Sequence, residues 1–309
     1  MPVRLKDIAE SLHLDLSTVS RALRDDARVH ADTKKTVLAE AARLGYRPNL
    51  LARRLAVGKT KTVWLILPSL GSPIEREPAE HAAALLFEHE YDLMIVQHRN
   101  DAAAYERILG RLSEGLADGA LIIPGPYADP PFEEVLVHAG YPLVFIDRHP
   151  KNLGTPVDVV TTANEKAAYD LTIRCIRAGA KHVIAGFNEG NPVADARNAG
   201  CRRAGEERNV PCQFITDGIR PENSDHTAVI GSSVPFLRNT AQLLTGAIIG
   251  GVFDNWPGAA HPFKEVHVCV QDFPAMAKTA VTVILGRIAG TKDDARICEV
   301  TAKQFLTVR

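Results

Sequence analysis

The sequence predicts an α/β chain, with three short helices at the N-terminus followed by a core of parallel strands alternating with helices. Three observations support this: helical periodicity in the first 45 residues, strand-length apolar runs from residue 62 onward, and a split in charge. Residues 1–61 hold 13 Lys/Arg against 7 Asp/Glu, whereas the remainder holds 23 against 30. A basic head on an acidic body is expected of a phosphate-binding module joined to one that does not touch nucleic acid.

The elements follow in order. Leu5, Ile8, Ala9 and Leu12 fall on one helical face, and His13-Leu14 breaks the pattern. Asp15 is placed to cap a second helix over 16–24, with Val19, Ala22 and Leu23 inward and Leu16, Ser17, Ser20, Arg21 and Arg24 outward. Asp32 is expected to cap a third helix through Val37, Leu38, Ala41 and Leu44, which Gly45 ends with a left-handed stop. Two helices joined by a tight turn and propped by a third make a helix-turn-helix unit. Small hydroxyls on the second helix permit close approach to a major groove, and Arg21 can contact guanine with two prongs. The same pattern also suits a plain three-helix bundle whose polar face meets water. Residues 49–58 read as a helix of about nine residues between Asn49 and Gly58, too short to be stable alone in water and so a candidate switch.

Beyond residue 62, the runs 63–67, 93–96, 119–123, 143–146 and 182–185 are short, apolar and rich in branched residues. Helical stretches at 79–90, 102–116 and 165–178 lie between them, so both faces of a parallel sheet should be covered. Ligands in such sheets sit beyond the carboxyl ends of the strands, at 69–73, 97–101, 124–127, 147–148 and 186–188 here. No G-x-G-x-x-G opens a helix after the first strand, and Gly58-Lys59-Thr60 lacks the earlier glycine of a phosphate loop. No G-x-S-x-G or H-E-x-x-H spacing occurs, so no enzyme, cofactor or metal is expected. The five cysteines form no C-x-x-C pair and read as reduced thiols in the cytoplasm. No apolar stretch is long enough to span a membrane and no export signal is visible.

The strings Leu5-Lys6-Asp7-Ile8-Ala9-Glu10, Ser17-Thr18-Val19-Ser20-Arg21-Ala22-Leu23 and Gly45-Tyr46-Arg47-Pro48-Asn49 resemble the headpiece of the lactose/galactose repressor family of transcription regulators. The resemblance implies a helix-turn-helix headpiece (1–48), a hinge helix and linker (49–61), and a two-subdomain, periplasmic-binding-protein-like effector and dimerisation domain (62–309). Subdomain one would take about 62–160 and 273–289, and subdomain two about 161–272 and 290–309. It implies base reading by Leu16, Ser17 and Arg21, with Thr18 and Ser20 beside them. Asn49, Ala52 and Leu55 of the hinge would join the DNA contacts, Leu55 as a minor-groove wedge.

Over the body the resemblance is looser. It assigns effector contacts to Ser72, Asp147, Arg148, Asn164, Arg197 and Asp254. Two departures stand out: Ala163 replaces the usual aspartate, and 230–235 lacks the usual asparagine–aspartate pair. The expected function is a regulator, as a repressor, of a pseudo-palindromic double-stranded operator, acting as a homodimer without a tetramerising tail. Its effector would be sugar-like or a charged sugar derivative rather than a simple neutral hexose, and would bias operator affinity by ~1–3 kcal/mol. A solute-binding protein and an α/β enzyme are the competing classes.

Overall fold

Three apolar stripes meet at the N-terminus and leave Ile8, Val19 and Val37 with no solvent exposure. They belong to α1 (Leu5–Leu12), α2 (Leu16–Ala22) and α3 (Ala31–Leu44). Ala9, Ala22 and Ala41 complete the core, with Leu5, Leu12, Leu23 and Leu44 packed around it. The computed structural model describes residues 3–47, 58–125, 132–187, 191–215, 226–246, 248–254 and 262–308. It divides into two units, Met1–Thr60 and Lys61–Arg309.

The helix ends differ in detail from the sequence expectation. His30, not Asp32, caps α3, and its ring accepts from the Asp32 amide at 3.5 Å. Asp32 sits inside the first turn, where its charge faces the positive end of the helix dipole. Asp15 holds the N-cap position of α2 but its side chain makes no cap bond, and α2 stops at Ala22 instead of Arg24. Gly45, at φ +68°, closes α3 in the left-handed conformation.

The second unit contains two six-stranded sheets. The first is built from β1 (Thr62–Leu67), β2 (Asp92–Gln97), β3 (Gly119–Ile122), β4 (Leu143–Ile146), β5 (Asp158–Thr162) and β11 (Ile297–Val300), in the order β11-β5-β4-β3-β1-β2. The second uses β6 (His182–Gly186), β7 (Cys212–Phe214), β8 (Thr227–Gly231), β9 (Ile248–Phe253), β10 (Glu265–Val270) and β12 (Gln304–Val308), in the order β12-β10-β9-β8-β6-β7. Every pairing is parallel except β10 with β12. The two sheets therefore repeat one topology that leaves no repeat visible in the sequence.

Helices cover both faces of each sheet, as buried parallel strands require. Around the first lie α4 (Pro73–Glu88), α5 (Ala102–Ser113), α6 (Glu134–His138) and α10 (Phe273–Ile288). Around the second lie α7 (Asn164–Arg177), α8 (Pro192–Arg208) and α9 (Val234–Ala241). Helix α4 starts six residues before the sequence expectation, with Pro73 in its first turn and Pro78 tolerated inside. The chain crosses between sheets three times, at β5–α7, β10–α10 and β11–β12.

The boundary expected for 290–309 needs correction. Strand β11 pairs with β5 in the first sheet, and only β12 joins the second. Strand β5 itself was not among the apolar runs because Asp158, Thr161 and Thr162 interrupt it, although all five of its residues are buried. Long-range partners make that burial tolerable: Arg287 binds both oxygens of Asp158, at 2.6 and 3.1 Å, and the Arg296 amide adds a third bond at 3.2 Å.

Helices α7 and α8 pack closely at Gly200, where an added Cβ would stand 2.1 Å from the Glu165 carbonyl oxygen and 2.8 Å from the Tyr169 nitrogen. These are backbone atoms with little freedom to move. Gly200→Ala should lower stability by about 1–3 kcal/mol through overpacking, read as a fall in the urea midpoint; an unchanged midpoint would refute the tight contact.

Candidate functional site

On the headpiece, α2 turns its polar side to solvent. Leu16 is 53% exposed, Ser17 and Arg21 are exposed, and Thr18 and Ser20 are half-buried. Burial of Val19 and Ala22 on the opposite side fixes this orientation. Arg24 turns back onto the Ser20 carbonyl at 3.1 Å, which leaves Arg21 as the outward guanidinium of α2. Asn49, Ala52 and Leu55 lie outside the described residues.

In the second unit, a cavity of about 260 Å³ opens at the carboxyl ends of both sheets. Asp147 and Arg148 reach it from the end of β4, Asp254 from β9, Gln271 from β10 and Arg197 from α8. Two of these residues occupy matching places in the duplicated topology. Asp147 (φ +68°) and Asp254 (φ +67°) both adopt the left-handed conformation directly after the third strand of their sheet. Each amide first makes one more ladder bond, Asp147 to Val160 and Asp254 to Cys269, both at 2.8 Å. The backbone then turns, aiming each carboxylate at the cleft; aspartate tolerates this conformation better than most side chains.

Arg197 is the buried charge around which the cleft is arranged. Its Nε donates to Asn164 Oδ1 at 2.8 Å and its Nη1 to Ser232 Oγ at 2.9 Å. The guanidinium lies 3.7 Å from the centre of the Phe253 ring. Burial pulls the Arg197 pKa down, while Asp147 and Asp254 oppose that shift. Burial pushes the Asp147 carboxyl up, against the pull of Arg197 and Arg148. It also lifts Asp254 to about 6, although Gln271 donates to both carboxylate oxygens at 2.9 Å. Gln271 Oε1 in turn accepts from Thr162 at 2.5 Å, tying the second sheet to the last residue of β5 in the first.

Four of the six expected effector residues, Asp147, Arg148, Arg197 and Asp254, line this cavity. Two do not. Asn164 is buried behind it, donating to Thr161 and the Thr162 carbonyl while holding Arg197. Ser72 holds the N-cap position of α4 without a side-chain cap bond and donates its hydroxyl to Glu75. Sequence reasoning missed Gln271, Ser232, Asn191 and Phe236, all of which line the cavity. Glycines carry the signal for Phe236: a Cβ on Gly186 or Gly231 would stand 1.9 or 2.5 Å from its ring, so both positions must be bare.

The arrangement suits hydrogen bonding rather than covalent chemistry. The nearby Cys269 and Cys201 thiols are pushed up to about 12 by burial, far from thiolate character at neutral pH. Among the described residues, no group of three His, Cys, Asp or Glu could hold a metal ion. No helix of the described residues is long and apolar enough to cross a membrane.

Comparison with known proteins places these features. Residues 4–49 match the family described as bacterial regulatory proteins, lacI family. The chain is 30% identical over 183 residues to the HTH-type transcriptional regulator RegA of Clostridium saccharobutylicum, a match covering 59% of this chain and 54% of that protein. The similarity thus spans about half the length of that relative. The lac repressor dimer bound to operator and the anti-inducer ONPF shares the fold, with a TM-score of 0.73 at 18% identity over 100% of this chain and 98% of that one. The CelR–cellobiose complex does so with a TM-score of 0.65 at 18% identity, covering 98% of each chain.

Asp254 also gives a pH signature. Its folded pKa of about 6 lies above the ordinary 3.8, so the folded protein binds this proton more tightly than the unfolded chain. The resulting stability is full below about pH 4 and is lost as pH rises through 6. Asp254→Asn should therefore be more resistant to urea than the parent at pH 8, by roughly 3 kcal/mol, with the difference closing toward pH 4. A difference independent of pH would show that burial does not raise this group.

Proposed function

We propose, for a chain whose residues 4–49 match the lacI family of bacterial regulatory proteins, the function of a sequence-specific transcription regulator modulated by a small polar effector. It acts as a cytoplasmic homodimer on a pseudo-palindromic operator, as a repressor and not as an enzyme. The observation that carries the reading is the outward face of α2, where Leu16, Ser17 and Arg21 stand together on a buried three-helix core. Arg21 meets guanine from this face, Leu16 meets a thymine methyl group, and Thr18 and Ser20 add hydroxyl contacts. Asn49, Ala52 and Leu55 form the hinge contacts of the same reading.

The effector lies in the cleft. Asp147 and Arg148 belong to the first sheet's subdomain, whereas Arg197 and Asp254 belong to the second. A ligand that bonds to both sets favours one angle between them, and it shifts operator affinity only by its differential affinity for the two states. The effector is sugar-like or a charged sugar derivative; two proteins that share the fold, the lac repressor dimer and CelR, are complexed with ONPF and with cellobiose. Ser232, standing where the family's polar pair is missing, is already engaged by Arg197, which leaves fewer free groups for a neutral hexose.

Lys151 of the β4–β5 segment, on the first sheet's side, pairs with Asp195 of α8, on the second's, at 2.7 Å. Both are partly exposed, so this bond is worth ~0–1 kcal/mol. Lys151→Glu should weaken effector binding a few-fold by calorimetry, and Lys151→Glu/Asp195→Lys should restore it; failure of the double reversal would remove the pair from the closing motion.

The decisive test is selection from random double-stranded DNA at about 0.15 M salt, fixed because phosphate contacts are steeply salt-dependent. An inverted-repeat motif is expected. Arg21→Ala should lower affinity for that motif by ~10-fold or more and relax preference at one base pair per half-site. Recovery of no motif, with or without candidate effectors, would overturn the regulator reading.

A further inference from the structure

We infer that Phe236 is the residue that sets the size limit of the cleft. Its ring is a fixed wall at the ends of β6 and β8, and an effector can carry no added substituent on the side that meets it. The inference deepens the reading of the cleft as an effector site and rests on it.

The position of the ring follows from local structure. Helix α9 opens at Ser233, whose hydroxyl accepts from the Phe236 amide at 3.3 Å, and Pro235 stands in the first turn. Leu237, with no solvent exposure, and Ala241 hold the helix against the second sheet. Side chains on a helix lean toward its N-terminus, so a residue in the first turn reaches past the end of the helix. Phe236 thereby extends over the ends of the neighbouring strands. There Gly186 of β6 and Gly231 of β8 are register partners, and together they make a bare shelf. A Cβ at Gly231 would stand 2.5 Å from Cδ1 of the ring, and one at Gly186 would stand 1.9 Å from Cζ. The ring therefore crosses from one strand to the other.

This seating makes the wall unyielding. The ring already occupies the space that two side chains would take, and backbone lies directly beneath it, so a ligand cannot press it deeper. Added volume against such packing is met with strain rather than accommodation. Among the described lining residues Phe236 is the one aromatic ring; Ile74, Val193 and Ala194, the other apolar ones besides Gly186, are smaller. The polar walls are held as well, Arg197 by Asn164 and Ser232, and Asp254 by Gln271. The cavity of about 260 Å³ lies below the ~300–1,000 Å³ common for ligand pockets, which leaves little slack beside the ring.

Phe236 offers an effector no hydrogen bond, so it selects by exclusion. Polar groups on the opposite walls reward the right hydroxyl pattern, whereas the ring penalises extra bulk at one place. Size discrimination of this kind is directional: only a substituent aimed at the ring is rejected.

The test is calorimetry on the full chain. Titration of the common hexoses, pentoses, and their uronic acids and phosphates identifies the tightest binder, and each mono-O-methyl ether of that sugar is then titrated in turn. One ether should bind about ten-fold or more weaker than the free sugar because its methyl group meets the ring. Phe236→Ala should restore that ether relative to the free sugar, and leave the ratios for the other ethers unchanged. Phe236→Leu should restore it in part, and it serves as the test variant if the alanine protein does not fold. A parent that accepts every ether, relief at no position in either variant, or relief spread evenly over all positions would overturn the size limit while leaving the cleft reading intact. Binding of no sugar at all would overturn the sugar reading of the cleft and this inference with it.

Discussion

A guanidinium removed from water needs acceptors, counter-charge and contact area within reach, and the cleft of this protein is arranged around that need. Arg197 receives acceptors from Asn164 and Ser232, a ring face from Phe253, and opposing charge from Asp147 and Asp254. These partners come from different elements: Asp147 from the first sheet, and the others from α7 and the strand ends of the second. The two carboxylates sit in an environment that raises both of them, so the site carries charge whose balance depends on what enters it. A polar ligand placed among them replaces lost water with hydrogen bonds, which links occupancy to the relative position of the two sheets.

The duplicated topology makes this geometry economical. Each sheet ends its third strand in a left-handed aspartate, so one local solution to turning the chain serves twice and delivers two carboxylates to one space. The crossovers carry the sheets' mutual registration. Thr162 ends β5 in the first sheet and donates to Gln271, which in turn donates to Asp254 in the second, so three side chains join the two sheets beside the cleft.

Close packing sets how far these parts can shift independently. Gly200 lets α8 lie against α7, which brings Arg197, one turn earlier on α8, to Asn164 at the start of α7. Bare positions at Gly186 and Gly231 admit Phe236 beside the cavity. In both cases the smallest residue marks a place where something else must come close.

The headpiece was legible from sequence because its determinants are local. Apolar spacing set the inner face of each helix, burial of Val19 and Ala22 then aimed Leu16, Ser17 and Arg21 outward, and Gly45 ended the last helix. Strands β1 to β4 and β6 were equally plain as continuous apolar runs. Strand β5, the sheet joined by β11, and the roles of Asn164 and Gln271 were not. Their partners lie 33 to 138 residues away: Arg197 for Asn164, Thr162 for Gln271, and Arg287 and Arg296 for Asp158. Periodicity records which face of an element is buried, and it carries no record of which distant polar group will meet it there. The sequence by itself therefore determined the headpiece helices with their faces and the strands that are continuous apolar runs. Only the tertiary structure decided which polar residues hold one another and which are left to face a ligand, because that division depends on contacts made after the elements have packed.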